Sequence, residues 1–166
     1  VAGIASPTIN VGRIEGGTNT NVVPAKVVLK LDRRIIPDED PAAVEAELRE
    51  VIERASASVT GARVGVRRLL LARPLVPRPG HERLADALVR HGERVFGERI
   101  AVTATPLYTD ARLYGEAGVP AVLYGAGPRT ILEANAKRAD ENLLQDDLRR
   151  ATKVVAAALA ELLAPD

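Results

Sequence analysis

The chain has no cysteine, no methionine and no tryptophan, two histidines, and aromatics at 2% of its residues. Without cysteine, disulfides and thiolate metal sites are excluded. His81 and His91 cannot make a histidine-rich metal site alone. On one expected helix they share nearly the same face but stand almost three turns apart, too far to hold a common metal. Phe96 is the single phenylalanine, so Leu, Val, Ile and Ala must build the core, and the 46% hydrophobic content is enough for one. No apolar run approaches the roughly 20 residues of a membrane span. The opening VAGIASPTIN lacks the basic region and long apolar stretch of a signal peptide. A cytoplasmic location follows by default. Neither sign of charge dominates: the charged fraction is 27% and the net charge +1. That balance makes no electrostatic case for nucleic acid or an anionic membrane. Lacking methionine, the chain shows no ordinary initiator, so Val1 is expected to be an alternative start or to lie within something longer.

Two lobes are legible. Thr8 to Ile14 reads as a short strand with Ile9 and Val11 on one face. A glycine-rich turn follows, then Lys26 to Arg33, where Val27, Leu29 and Leu31 alternate with Val28, Lys30 and Asp32. Asp40-Pro41 predicts a helix start, an acceptor at the cap and proline at the first helical position. Val44, Leu48, Val51, Ile52, Ala55 and Val59 repeat at helical spacing up to Gly61. Ala62 to Ala72 reads as a further strand, giving most of a β-β-α-β unit with its helix on one sheet face. A helix and a strand ahead of it would complete a ferredoxin-like sandwich. Residues 75–80 hold prolines and a glycine and predict a linker between lobes 1–74 and 81–166.

Beyond the linker the pattern alternates helix and strand, an α/β signature. Glu82 to Phe96 is helical, Ala101 to Thr105 strand-like, Asp110 to Ala117 a short helix capped by Asp110, and Pro120 to Tyr124 a buried-type strand. Leu144 to Leu163 is a long amphipathic helix with Leu148, Ala151, Val154, Val155, Ala158, Leu159 and Leu162 inward. Asp146 and Asp147 stand at its positive end. The Pro120–Tyr124 strand runs into Gly125-Ala126-Gly127-Pro128, whose backbone N–H groups could face an anion. Pro128 and Thr130 do not fit the dinucleotide fingerprint. Tyr108, Tyr114 and Tyr124 surround this loop, with packing as their expected role. The Asp140-Glu141 pair reads as solvated or capping carboxylates. Of the arginines ending the second strand, Arg33 and Arg34, one aimed into a cleft would hold a carboxylate through a bidentate fork.

Three stretches in this order, TINVGRIEGGTNTNVVPAKVVLKLDRRIIPDED (8–40), TDARLYGEAGVPAVLYGAGP (109–128) and EANAKRADENLLQDDL (133–148), resemble one family. It is that of the dinuclear zinc amidohydrolases and metallopeptidases that include acetylornithine deacetylase, succinyl-diaminopimelate desuccinylase and carboxypeptidase G. The first stretch looks like the second half of the family's lid, or dimerisation, domain; the others look like the end of its catalytic domain. The resemblance implies an incomplete ferredoxin-like α+β lid followed by an α/β piece of the catalytic domain. It implies an activity, hydrolysis of the amide bond of N-acyl amino acids or small peptides, with two zinc or cobalt ions. It implies a small carboxylate substrate and a homodimer formed through the lid.

Residue by residue, Asn21 matches the asparagine before Val-Val-Pro that reaches toward substrate. In Asp32 to Pro37, Arg34 and not Arg33 matches the arginine that binds the substrate carboxylate. Gly125 to Pro128 matches the loop lining that pocket, with Gly125 and Gly127 as its contacts. Lys137 falls where the last ligand histidine should be, and a protonated ammonium cannot coordinate zinc. The family's other metal ligands, its base and its lid histidine match nothing in the chain. The 166 residues are therefore expected to supply carboxylate recognition and a subunit contact, to hold no metal by themselves and to be inactive alone. The alternative is a non-catalytic carboxylate-binding or dimerisation protein derived from that family.

Overall fold

The computed structural model describes residues 6–105, 107–127 and 130–165. The fold is mixed α/β and divides into two units. One comprises Val1–Pro74 with Ala104–Tyr108, the other Leu75–Thr103 with Thr109–Asp166.

The first unit is built on a hairpin. Strands β1 (Ile9–Gly16) and β2 (Val27–Arg33) pair antiparallel, from Ile9↔Arg33 to Gly16↔Val27. Directly opposed residues share a face. Val11 faces Leu31; one residue, Gly12, is then left over, and Ile14 falls opposite Leu29. This bulge resets the parity of β1. Without it strict alternation would send Ile14 to the polar side; with it Ile9, Val11, Ile14, Val27, Leu29 and Leu31 form one apolar face. The opposite face carries Asn10, Arg13 and Glu15 against Asp32, Lys30 and Val28. The apolar face is open, with exposures from 39% at Leu31 to 66% at Ile14.

Helix α1 (Pro41–Ala57) starts as its sequence predicts. Asp40 accepts from the N–H groups of Ala42 and Ala43 at 3.3 and 3.2 Å, and Pro41 occupies the first turn. No α1 residue is buried. The expected strand at 62–72 forms no ladder among the described residues. Instead this segment is tied to α1: Arg49 donates to the Val66 carbonyl at 3.2 Å, and Arg68 meets Glu45 at 2.5 Å. A ladder needs two segments in register; the two-stranded sheet keeps its outer edges, and residues 62–72 pair with neither.

Among the described residues the second unit has three helices, α2 (His81–Phe96), α3 (Ala111–Glu116) and α4 (Gln145–Leu162). Its seam lies between α2 and α4. Ala87 on one side and Ala151, Val154 and Ala158 on the other are buried. The inward stripe of α4 is narrower than its pattern predicts, since Leu148, Val155 and Leu159 remain exposed. Gly92 makes room for the segment after α2: a Cβ there would overlap Ile100 Cδ1. Polar contacts close the far end. Glu161 on α4 accepts from Arg90 and lies 2.9 Å from His91 Nε2 on α2, and Arg83 donates to the Leu162 carbonyl at 3.4 Å. Residues 101–105 and 120–124, read as strands, form no ladder among the described residues. No described helix is long and apolar enough to cross a membrane.

Candidate functional site

Arg34 follows the last ladder pair of the hairpin. Its N–H donates to the Thr8 carbonyl at 2.8 Å, so its main chain continues the β1–β2 pairing. Its guanidinium is 43% exposed and meets the exposed Asp32 carboxylate at 3.3 Å. An exposed pair of this kind contributes only about 0–1 kcal/mol, so an incoming carboxylate can displace Asp32 at little cost.

Arg33 is engaged differently. Its guanidinium is half-buried, and Nη2 and Nη1 reach the two oxygens of Glu39 at 2.5 and 3.3 Å. Nη1 also donates to the main-chain carbonyl of Arg34. Glu39 Oε2 accepts from the Ile36 N–H at 3.0 Å. The Arg33 guanidinium, followed by the Ile36 N–H, holds the Glu39 carboxyl below the usual carboxylate range. Of the two arginines, Arg34 is the one with an accessible fork.

Asn21 is exposed in the loop that leaves the Gly16↔Val27 end of the ladder, whereas Arg34 follows the Ile9↔Arg33 end. A strand of this length spans about 20 Å. The ladder therefore starts one residue from each end of the hairpin and does not bring them together.

In the second unit Gly125 and Gly127 lie in the turn after residues 120–124, and Pro128 falls outside the described residues. A Cβ at Gly127 would stand 2.6 Å from Asp147 Cβ and 3.0 Å from Asp147 Oδ2. Only glycine admits the first turn of α4 this close. Asp147 Oδ2 is buried without a hydrogen-bond donor among the described residues. A carboxylate ligand on the Gly127 N–H would thus face another carboxylate, and like charges at such range oppose one another. The favourable end of α4 offsets part of that repulsion. Tyr108 and Tyr114 are exposed, while burial pushes the Tyr124 phenol above its usual range.

Lys137 is exposed and takes a left-handed backbone, φ 64°, as does Asn135 at φ 49°. Non-glycine residues rarely adopt it, and the turn compensates with local bonds. The Lys137 N–H donates to Glu141 Oε2 at 2.9 Å, and the Asn142 N–H to the Ala134 carbonyl at 3.0 Å. Glu141 thereby has a capping role. Asp110 precedes α3 but makes no capping bond; Thr109 Oγ1 accepts from Ala111 instead, at 3.2 Å.

A dinuclear metal centre finds no fit in these residues. No group of three or more His, Cys, Asp or Glu among the described residues could hold an ion. His91 faces Glu161, and His81 lies 3.0 Å from the Arg78 carbonyl. Two roles in these arrangements escaped the sequence reading: that of Glu39, and that of Asp147 beyond its place at the positive end of the last helix. Glu39 carried a signal: an acid six positions after Arg33, beyond the turn at Pro37. Asp147 carried none, because its approach to Gly127 is tertiary.

Residues 2–60 match the peptidase dimerisation domain of the M20 family. Five chains of solved structures match. One is the M20 family metallo-carboxypeptidase Sso-CP2 from Sulfolobus solfataricus, with a TM-score of 0.63 at 20% identity over 94% of this chain. This chain covers 36% of that protein's length. At that identity the likeness concerns the fold. No curated protein matches.

Proposed function

We propose that this chain carries the carboxylate-holding arm and the self-association surface of an M20-type metallopeptidase. Its ligand is an N-acyl amino acid or a small peptide, and the 166 residues alone do not hydrolyse it. The observation that carries the reading is Arg34. Its main chain is held by Thr8, and its fork is exposed with a weakly bound carboxylate, Asp32, in place. The match of residues 2–60 to a dimerisation domain supports a homodimer through the hairpin and α1. Asn21 and the Gly125–Gly127 turn are secondary contacts in this proposal. The Asp147 carboxylate beside Gly127 disfavours an anion there, so the ligand carboxylate is assigned to Arg34.

The test is titration of N-acetylglycine into the chain and its Arg34→Ala variant at concentrations where dimer is present. A charge-assisted bond contributes about 1.5–3 kcal/mol, so the variant should bind roughly 10-fold or more weakly. Equal affinities would remove Arg34 from the site.

Lys137 favours a second reading, a binding or dimerisation protein of this family without catalysis. An ammonium there gives zinc no ligand. Zinc titration of the wild type and of Lys137→His tests both readings. Stoichiometric zinc on the wild type, removed by chelation along with hydrolysis of N-acetyl amino acids, would sink both, since each holds the 166 residues inactive alone.

A further inference from the structure

Arg33 and Arg34 are adjacent and chemically identical, yet the structure uses them in different ways. Arg34 reaches outward, whereas Arg33 turns back. The Arg33 guanidinium bridges both oxygens of Glu39 and donates to the Arg34 carbonyl. Glu39 in turn accepts the Ile36 N–H, and its own N–H donates to the Ile36 carbonyl at 3.1 Å. The Arg34 main chain is therefore held on both sides, by Thr8 at its N–H and by Arg33 at its C=O.

We infer that Arg33 and Glu39 are positioning residues for Arg34: their clasp fixes the backbone from which the Arg34 fork reaches a ligand carboxylate. This rests on the reading of Arg34 given above. The chemistry favours arginine at position 33 over lysine. Holding two carboxylate oxygens and a carbonyl together needs several donors in one plane, which a guanidinium has and an ammonium lacks. A free side chain on a mobile backbone must be ordered on binding, and fixing that backbone beforehand removes part of the cost.

The experiment uses the full chain, isotopically labelled, with N-acetylglycine as probe. Two quantities are read, hydrogen exchange at the Arg34 and Ile36 amides and affinity for the probe. Arg33→Ala and Glu39→Gln should each speed exchange at both amides and weaken binding about 3- to 10-fold with the Arg34 side chain intact. Arg33→Lys should fall between them and the wild type, and serves if Arg33→Ala fails to fold.

The exchanged pair Arg33→Glu with Glu39→Arg is decisive. It restores an ion pair but cannot donate from position 33 to the Arg34 carbonyl. Unfolding by urea should recover to near the wild-type midpoint while probe affinity stays low. Recovery of both would show that the pair only stabilises the turn. Unchanged Arg34 exchange in Arg33→Ala would overturn the inference outright. Arg34→Ala run in parallel keeps the two ideas apart. If it binds the probe as the wild type does, the carboxylate reading fails, while the clasp is still judged from exchange.

Discussion

The two units solve the same problem to different degrees. Both contain amphipathic elements with a regular apolar side. In the second, α2 and α4 bring those sides together, and Ala87, Ala151, Val154 and Ala158 are buried between them. In the first, six apolar side chains line one face of the β1–β2 hairpin, and none is buried. The difference lies in what each element finds to pack on. An amphipathic pattern specifies a face, and burial then requires a second face of matching shape. The second unit supplies one through small residues on two long helices. The first leaves its apolar face open, which is the condition under which a surface associates.

The contrast is broken most directly at the seam. Val154 is fully buried, so Val154→Ala should cost about 2 kcal/mol through lost burial and a residual cavity. Leu29, 57% exposed, should cost no more than about 0.5 kcal/mol as Leu29→Ala in the monomeric chain. Urea unfolding followed at reporters in each unit measures both. Equal losses would mean that Leu29 is covered in solution. Gly127→Ala tests the second unit from another side. The added methyl meets Asp147, and overpacking of this kind costs about 1–3 kcal/mol. Gly127→Ala with Asp147→Gly should recover most of the loss; if the double variant is no better than the single, the contact is not the cause.

How much of this was legible follows the same division. Helices α1, α2 and α4 were readable because their signals are local: a cap at Asp40 and apolar residues at helical spacing. The hairpin was readable from alternation in β2. The bulge was missed although it left a trace, since the apolar positions of β1 shift from odd (9, 11) to even (14) across Gly12. Apolar runs at 62–72, 101–105 and 120–124 were read as strands, but a ladder is a property of two segments, and propensity reports on one. At the site, the resemblance singled out Arg34 over Arg33, and the structure supplies a physical distinction between them that no spacing contains. Asn21 and Arg34 belong to two motifs of one stretch, 8–40, and the ladder places them at its opposite ends. The clasp from Arg33 to Glu39 and the approach of Asp147 to Gly127 depend on how the chain turns, not on which residues it holds.

Association sharpens the comparison at a smaller scale. The open face of the first unit should make the chain dimerise or associate further with rising concentration, seen as mass by light scattering. Val11→Lys and Leu29→Lys together place two charges on that face and should weaken association roughly 10-fold. The matched control is Leu159→Lys on the exposed side of α4, which should change little. A concentration-independent monomer in the wild type would end the argument. Association weakened only by Leu159→Lys would move the surface to the second unit.

The smallest effect expected is in acid, and its sign follows from three carboxylates. Glu161 is held below its usual range first by the His91 hydrogen bond and then by Arg90. Glu45 is held down by Arg49 and Arg68, and Glu39 by Arg33 and the Ile36 N–H. A carboxyl whose folded pKa lies below its unfolded value binds fewer protons when folded. Its stabilising effect is present above the ordinary carboxylate range and is lost as pH falls through the folded value. Both units therefore weaken below about pH 4.5, where free carboxylates of this kind begin to protonate. The consequences should differ. The α2–α4 seam keeps its apolar contacts when Glu161 is neutral, whereas α1 has no buried residue to fall back on. Amide exchange between pH 6 and pH 3, corrected for its intrinsic pH dependence, should rise more in α1 than in α2 or α4. Glu161→Gln should flatten the acid response of the second unit, and Glu45→Gln that of α1. Because these pairs are partly exposed, added salt should shrink every one of these differences. Equal protection of α1 and α4 at pH 3 would show that α1 has burial in solution that the contrast between the units denies it.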